Sequence, residues 1–216
     1  MQSLHDLNRA GVVSRFLIVD DGSGPEFTPV FDAVRRHPDV TLVTHAQNQG
    51  KGAALKTGFR HVLAEMPDIR GIVTADADGQ HAPTDIMALA KVLREHPDHA
   101  VIGARVFDPT TPLRSKFGNE LTRGVFRLFT GKAVKDTQTG LRGYPISLCR
   151  RLLDSSLTGY EFELEALIIA AREYPVREVP IQTIYIEGNK SSHFNPIKDS
   201  ARIYSVFFRR MLKPGR

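Results

Sequence analysis

The stretch that decides the fold is Gly71-Ile72-Val73-Thr74-Ala75-Asp76-Ala77-Asp78-Gly79-Gln80-His81. Its first residues form a short apolar run that predicts a buried β-strand, and the run stops at two carboxylates and a glycine. Because alternate residues of an extended segment point the same way, we expect Asp76 and Asp78 to converge just beyond the strand. Converging carboxylates repel each other unless a cation lies between them, and Mg²⁺ prefers such oxygen ligands. The stretch therefore predicts a divalent-cation site. A polar loop that caps the next helix is the alternative.

Length and composition predict a single domain over residues 1–216. The chain has 216 residues, of which 41% are hydrophobic and 25% charged, as in ordinary globular proteins. Its single cysteine, Cys149, excludes an intramolecular disulfide and is typical of a reducing compartment. No apolar run approaches the roughly 20 residues that span a bilayer, and no signal peptide is recognisable. The net charge of +5 indicates anionic partners: nucleic acid, anionic lipid or phosphorylated small molecules.

The first half of the chain alternates short apolar strands with helices. Strands are predicted at 15–19, 40–44, 71–74 and 100–103, and helices at 27–36, after Gly52 and from Pro83. This order predicts an α/β fold with a doubly wound, mostly parallel sheet and helices on both faces. A further strand is predicted at 179–186.

Two more loops have the composition of ligand sites. Asp20-Asp21-Gly22-Ser23-Gly24 follows the first predicted strand, where ligands bind in open parallel sheets, although a plain turn has the same composition. Asn48-Gln49-Gly50-Lys51-Gly52 precedes an alanine-rich helix, so it presents free backbone N–H groups together with a lysine, as suits a phosphate. Lys51 and Lys56 are otherwise interpreted as solvated helix charges.

Two segments predict basic amphipathic helices, near 114–130 and 199–213. In the first, Leu121, Val125, Leu128 and Phe129 are predicted to share one face, and Arg123 lies among basic residues on another. Such helices lie in a membrane interface or pack their apolar face on the core, and the sequence leaves both possibilities open.

Five segments together resemble glycosyltransferase family 2, the inverting GT-A enzymes, and are most similar to its polyprenyl-phosphate sugar synthase branch. They run in family order: Val19-Asp20-Asp21-Gly22-Ser23, Asn48-Gln49-Gly50-Lys51-Gly52, Asp76-Ala77-Asp78-Gly79-Gln80-His81, Asp136-Thr137-Gln138-Thr139-Gly140-Leu141-Arg142 and the loop around Asn189-Lys190-Ser191-Ser192. The resemblance implies a nucleotide-diphospho-sugar transferase fold. The family's first strand and its Pro-x-Tyr-Asn-Glu loop have no counterpart, so we expect that strand to be missing and a sheet edge to be unpaired.

The resemblance implies a donor pocket, a metal site and an acceptor side. Nucleotide-sugar contacts are assigned to Asp20, Asp21, Asn48, Gly50, Lys51 and Asp76. Mg²⁺ or Mn²⁺ on the donor diphosphate is assigned to Asp76, Asp78 and Gln80. Acceptor or phosphate contacts are assigned to Arg105, Arg114, Thr139, Lys190 and Ser192. Direct catalytic roles are assigned to Asp78, Arg142 and Glu165.

The implied reaction transfers a sugar from a UDP- or GDP-sugar to a dolichyl or undecaprenyl phosphate, on the cytoplasmic side of a membrane to which the chain attaches peripherally. A cation and basic side chains stabilise the departing diphosphate. A lipid phosphate is already anionic and needs no strong base, whereas a hydroxyl acceptor needs a carboxylate or histidine. His81 and His193 are the nearby histidines, both interpreted as solvated. The alternatives are a transferase with a hydroxyl acceptor and an inactive nucleotide-binding module. No nucleic-acid recognition module is evident.

Overall fold

A computed structural model describes residues 15–106 and 113–182, together with residues 11, 13 and 184, but not the side chains of 113–121. The strands are β1 (Phe16–Asp20), β2 (Val40–Thr44), β3 (Gly71–Thr74), β4 (Ala100–Arg105), β5 (Arg142–Pro145) and β6 (Val176–Ile181). The helices are α1 (Thr28–Arg35), α2 (Lys51–Glu65), α3 (Pro83–Glu95), α4 (Leu113–Thr130), α5 (Ile146–Leu152) and α6 (Glu161–Glu173). The side chain of Arg114, the residues Lys190, Ser192 and His193, and the predicted helix 199–213 lie outside this description.

The strands form a mixed α/β arrangement. Strand β1 pairs in parallel with β2, and a second sheet has the order β3-β5-β4-β6. Strand β5 runs antiparallel to both neighbours, while β4 and β6 are parallel. The α/β prediction is therefore confirmed, but the sheet is mixed rather than mostly parallel. The difference comes from β5, a strand that the sequence analysis did not predict because Arg142-Gly143-Tyr144-Pro145 contains no apolar run.

Helices cover both faces of the four-stranded sheet, as the sequence predicts. On one face, α2, α5 and α6 enclose a core that includes Phe59, Leu148 and Phe162. On the other face, Leu89 and Leu93 of α3 pack against the sheet. Neighbouring residues of β4 point to opposite faces, as a strand requires. The core is thus centred on the second sheet.

Helix α2 connects the two sheets. Its Gly58 lies against Leu17 and Val19 of β1, and its Phe59 ring packs on Tyr144 of β5 with centroids 5.3 Å apart. Within the described residues, β1 pairs only with β2 and β3 only with β5, so one edge of each has no strand partner. The helix thereby sets the loops after β1 and β3 beside each other.

The second half of α4 packs on the core. Phe126 is fully buried, with Val125 and Phe129 beside it, whereas Leu128 is 84% exposed. The prediction that Leu128 belongs to the apolar face was wrong, because that face is centred on Phe126. Arg123 Nε donates to the Val134 carbonyl.

None of the helices in the described part of the chain combines the length and hydropathy that a membrane span requires.

Candidate active site

The loop after β3 is a turn, and the expectation of an extended segment was wrong. Residues 77–78 form the turn, Gly79 has a φ of 79°, and the backbone N–H of Gln80 donates to Asp78 Oδ1 at 3.0 Å. The backbone N–H of Asp76 donates to His81 Nδ1 at 3.0 Å. His81 is therefore a partly buried structural acceptor rather than a solvated side chain. Burial lowers its pKa, against the attraction of Asp76 and Asp78.

Lys51 connects the start of α2 to this loop. Its Nζ lies 2.8 Å from Asp76 Oδ1 and 2.8 Å from Glu163 Oε2, at the first turn of α6. The Tyr160 ring lies 5.8 Å from the same atom. Burial opposes the ammonium charge, but Glu163 and Asp76 outweigh that effect and raise the pKa of Lys51. We refer to Asp76, Lys51 and Glu163 as the lysine-bridged cluster.

The segment before β5 closes against the Asp76 carboxylate. A Cβ atom at Gly140 would overlap that carboxylate, so any other residue here would force the carboxylate to shift. Thr74 Oγ1 donates to the Gly140 carbonyl at 3.0 Å and so joins this segment to β3. Thr139 is buried, and its hydroxyl accepts from the Leu141 N–H at 3.2 Å. Thr139 therefore shapes the segment, and its predicted contact with an acceptor stays a prediction.

Arg142 holds the same segment against α6. It is buried, and Nε donates to the Thr139 carbonyl at 2.9 Å while other guanidinium N–H groups donate to the carbonyls of Thr137 and Glu163. Burial disfavours its charge, but Tyr144 and Glu163 more than offset this and raise its pKa. In this structure the guanidinium fixes the backbone at Glu163. Its predicted contact with a phosphate stays a prediction.

Asp21 clamps the loop that precedes α2. Its carboxylate accepts the backbone N–H groups of Gln49 at 2.9 Å and Gly50 at 2.8 Å. His45 Nδ1 lies 2.6 Å from Asp21 Oδ1, and His45 Nε2 lies 3.0 Å from Thr57 Oγ1. Thus Asp21 positions the segment that carries Lys51. Its predicted contact with a nucleotide would be additional to these bonds.

The start of α2 is not the open phosphate cradle that the sequence predicts. Gln49 and Gly50 already donate their N–H groups to Asp21, and Ala53 donates its own to the Thr158 carbonyl at 3.0 Å. Gly50 has a φ of 98° and lies so close to Thr158 that a Cβ atom would be 2.6 Å from that carbonyl oxygen. The backbone N–H groups of Gln49, Gly50 and Ala53 therefore already have acceptors, and a phosphate at this loop would have to contact Lys51 instead.

Asp20 and Asn48, two further residues that the resemblance assigns to the nucleotide-sugar, lie next to Asp21 and Gln49 in sequence. Asp20 is buried, and its Oδ1 accepts the Ser23 N–H at 2.9 Å. Asn48 is exposed on the loop beside it. The structure therefore brings Asp20, Asp21, Asn48 and Lys51 to the same end of β1 and α2, and their predicted contacts with a nucleotide-sugar stay a prediction.

Arg105 is held by a buried carboxylate at the end of β4. Its Nε and Nη2 lie 2.6 and 3.0 Å from the two oxygens of Asp136. Burial favours the neutral acid at Asp136, but the Arg105 guanidinium outweighs it and holds the pKa of that carboxyl below its usual value. The charges of Arg105, Lys51, Asp76 and Asp78 all act on His81, so these side chains occupy one neighbourhood.

Glu163, which the sequence analysis did not select, lies at the site. Glu165 is two residues further along α6, and its carboxylate accepts a hydrogen bond from the Ser155 hydroxyl. Lys56 also proves to be buried, with Nζ 2.8 Å from the Ser155 carbonyl oxygen. Residues two apart on a helix face different sides, which separates the two glutamates. Glu163 is the one that reaches Lys51, and the catalytic role that the resemblance assigns to Glu165 stays a prediction.

The residues after β3 fit a hard divalent cation. Asp76, Asp78 and Gln80 offer oxygen donors, and Asp76 already has a cationic partner in Lys51. Among the described side chains, no group of three or more His, Cys, Asp or Glu could hold a metal ion. A cation here would therefore take further ligands from a diphosphate and water, as Mg²⁺ commonly does.

Comparisons with known proteins find sequences similar to this chain. The sequence profile described as Glycosyl transferase family 2 matches residues 2–157. UDP-N-acetylglucosamine–dolichyl-phosphate N-acetylglucosaminyltransferase of Methanococcus voltae is 35% identical over 82% of this chain and 71% of its own length. Dolichyl-phosphate beta-glucosyltransferase of Saccharomyces cerevisiae is 27% identical over 81% of this chain, which spans 58% of that enzyme.

The fold is also similar to that of solved structures. Glucosyl-3-phosphoglycerate synthase from Mycobacterium tuberculosis, solved with Mn²⁺, UDP-glucose and phosphoglyceric acid, aligns with a TM-score of 0.67 and 17% identity. The alignment covers 99% of this chain and 75% of that one. At this identity the likeness shows the fold alone, which confirms the GT-A architecture.

Proposed function

Because the chain belongs to glycosyl transferase family 2 and is a glycosyltransferase, we propose that it moves a sugar from a nucleotide-sugar to a polyprenyl phosphate. The acceptor is a dolichyl or undecaprenyl phosphate, the transfer inverts the anomeric centre, and a divalent cation is required. The named activities of the relatives in Methanococcus voltae and Saccharomyces cerevisiae support this acceptor class. We further propose that the chain works peripherally at the inner face of the membrane.

The observation that carries the proposal is the lysine-bridged cluster. In such a transfer, negative charge develops on the departing diphosphate, and positive groups placed there beforehand stabilise the transition state. A divalent cation bound at Asp76 and Asp78 would supply Lewis-acid stabilisation of that charge. Lys51 already lies beside Asp76, and the charge of Arg105 reaches the same loop. These groups match what a diphosphate leaving group requires.

The side chains around Asp76 favour a phosphate acceptor over a hydroxyl. His81 accepts a hydrogen bond at Nδ1, so its neutral ring carries the proton on Nε2. Glu163 has an oxygen engaged by Lys51. Neither group is presented as a general base, which a hydroxyl acceptor needs and an anionic phosphate does not. A hydroxyl acceptor remains the second candidate because a carboxylate, Glu163, lies next to Asp76.

A transfer assay tests the proposal. Purified chain is incubated with Mn²⁺ and radiolabelled UDP-N-acetylglucosamine, UDP-glucose or GDP-mannose, with dolichyl or undecaprenyl phosphate in mixed micelles. We expect labelled lipid with at least one donor, and a loss of about 100-fold or more in Asp76→Asn. Asp32→Asn, on the exposed face of α1, is the matched control and should retain full activity.

Two outcomes would contradict the lipid acceptor, and a third would contradict the role of Asp76. Label in a soluble or polysaccharide hydroxyl acceptor, but not in lipid, would support the second candidate. Nucleotide binding without transfer to any acceptor would indicate an inactive binding module. Equal activity in wild type and Asp76→Asn would show that the Asp76 carboxylate is not needed to hold the cation.

A further inference from the structure

The Lys51 ammonium lies between two carboxylates, those of Asp76 and Glu163. Its nitrogen is 2.8 Å from a carboxylate oxygen on each side, Asp76 Oδ1 and Glu163 Oε2. The three residues come from the start of α2, the loop after β3 and the first turn of α6. Without the lysine, two carboxylates from different elements would face each other and repel. The ammonium therefore neutralises a cation-binding position in the absence of metal.

The surroundings of Lys51 define where its ammonium lies. The Lys51 side chain is 25% exposed, against 31% for Asp76 and 13% for Glu163. The Asp21 clamp fixes the backbone immediately before it, because Gly50 donates to Asp21 at 2.8 Å. On the opposite side, the buried Arg142 fixes the backbone of Glu163. The backbone on both sides is thus held by hydrogen bonds, while the lysine side chain is partly exposed to solvent.

We propose that Lys51 is a tethered cation that occupies Asp76 in the free enzyme and yields it to the divalent cation when the donor diphosphate arrives. This inference rests on the proposed function and assigns a positioning role to Lys51. A divalent cation placed beside the ammonium would be repelled, whereas a bound diphosphate adds the negative charge that accommodates both. The arrangement makes metal and donor enter together rather than metal alone.

The proposal predicts an increase in metal affinity when the lysine charge is removed. In Lys51→Met, Asp76 and Glu163 lose their cationic partner, so Mn²⁺ alone should bind about tenfold more tightly than to wild type. Lys51→Gln tests the same loss of charge with a polar side chain, in case the methionine variant folds poorly. Lys51→Arg retains the charge and should keep the weak wild-type affinity.

The measurement is a Mn²⁺ titration followed by electron paramagnetic resonance, with neither nucleotide nor acceptor present. The signal of free Mn²⁺ falls as the ion binds, and turnover plays no part. Lys91→Met removes an exposed lysine of α3 and should leave the affinity at the wild-type value. Circular dichroism melting of each variant establishes that the folded state is compared.

The result separates this inference from the proposed function. Unchanged or weaker Mn²⁺ binding in both Lys51→Met and Lys51→Gln would overturn the tethered-cation role, even if wild type transfers sugar to lipid. Tighter binding in these variants, with wild-type affinity in Lys51→Arg, would support it even if no lipid acceptor is found. A purely structural ion pair would lower the melting temperature without raising metal affinity.

Discussion

The loop after β1 and the loop after β3 both carry paired aspartates, at 20–21 and at 76 and 78, but their oxygens have different partners. Asp21 accepts two backbone N–H groups and lies against His45. The Asp76 carboxylate is joined to the ammonium of Lys51. Backbone groups cannot leave without unfolding the loop, whereas a lysine side chain can. The first carboxylate is therefore suited to holding structure, and the second to exchanging one cation for another.

The position of each loop explains the difference. Gly50 and Gln49 belong to the turn that starts α2, and their N–H groups would otherwise lack intrahelical partners. The carboxylate of Asp21, the residue that follows β1, accepts both of these N–H groups. Around Asp76, the packed partner is Gly140, which leaves no room for a side chain. Two similar acidic motifs thus acquire different roles from the backbone next to them.

The largest expected effect concerns the buried carboxylate of Asp136, which, like that of Asp21, holds other parts of the fold in place. Arg105→Met should lower the free energy of unfolding by about 3–5 kcal/mol, because it leaves a buried carboxylate without its charged partner. Urea unfolding at pH 7 measures this. Arg151→Met, which breaks a partly exposed pair with Glu173, is the matched control and should cost under about 1 kcal/mol.

Acid should reduce the effect of Arg105→Met. Because the pKa of Asp136 is lowered in the folded state, its pairing contributes stability above the unfolded value near 3.9. That contribution is lost as the pH falls through the folded pKa, so the gap between wild type and variant should narrow in strong acid. A gap that stays constant down to the lowest pH at which the chain folds would contradict the assignment.

Asp21→Asn tests whether the Asp21 carboxylate stabilises the fold through its hydrogen bonds to the backbone. The amide keeps one acceptor but presents an NH₂ group towards a second donor, so we expect a loss of about 2 kcal/mol in the free energy of unfolding. Asp76→Asn should change the free energy of unfolding by less than about 1 kcal/mol while greatly weakening the Mn²⁺ binding that is measured with UDP or GDP present. If Asp21→Asn proved as stable as wild type, the clamp would not be the role of that carboxylate.

The strands around these loops were predictable from sequence because each is a short apolar run between turn residues. The prediction of Val40–Thr44 agrees with β2 residue for residue. Strand β5 was missed because buried Arg142 and Gly143 carry no apolar signal, and the mixed sheet depends on that strand. Three carbonyls accept the hydrogen bonds of the buried Arg142, and the one at Glu163 lies 21 residues away on α6, a partner that no local pattern specifies.

The site was predictable in residue type but not in pairing. Sequence motifs identified Asp76, Asp21 and Lys51, yet none of them indicates that Asp21 bonds to the 49–50 backbone or that Lys51 bridges to α6. Glu163 and Glu165 differ by two positions, so only the rotation of α6 against the core decides between them. The packing of α6 in the core sets that rotation, which brings Glu163 to Lys51.

The smallest expected effect tests the space around Asp76 without altering any charge. Gly140→Ala introduces a Cβ atom that overlaps the Asp76 carboxylate, so the carboxylate must shift. We expect Mn²⁺ affinity, measured with UDP or GDP present, to fall by about tenfold, since ligand position governs metal binding. Gly124→Ala is the matched control because nothing lies within 4 Å of the added atom. It should leave Mn²⁺ affinity unchanged and raise stability slightly, since alanine favours a helix. Unaltered affinity in Gly140→Ala would show that the position of the Asp76 carboxylate does not limit cation binding, and the distinction between the two loops would then rest on Lys51 alone.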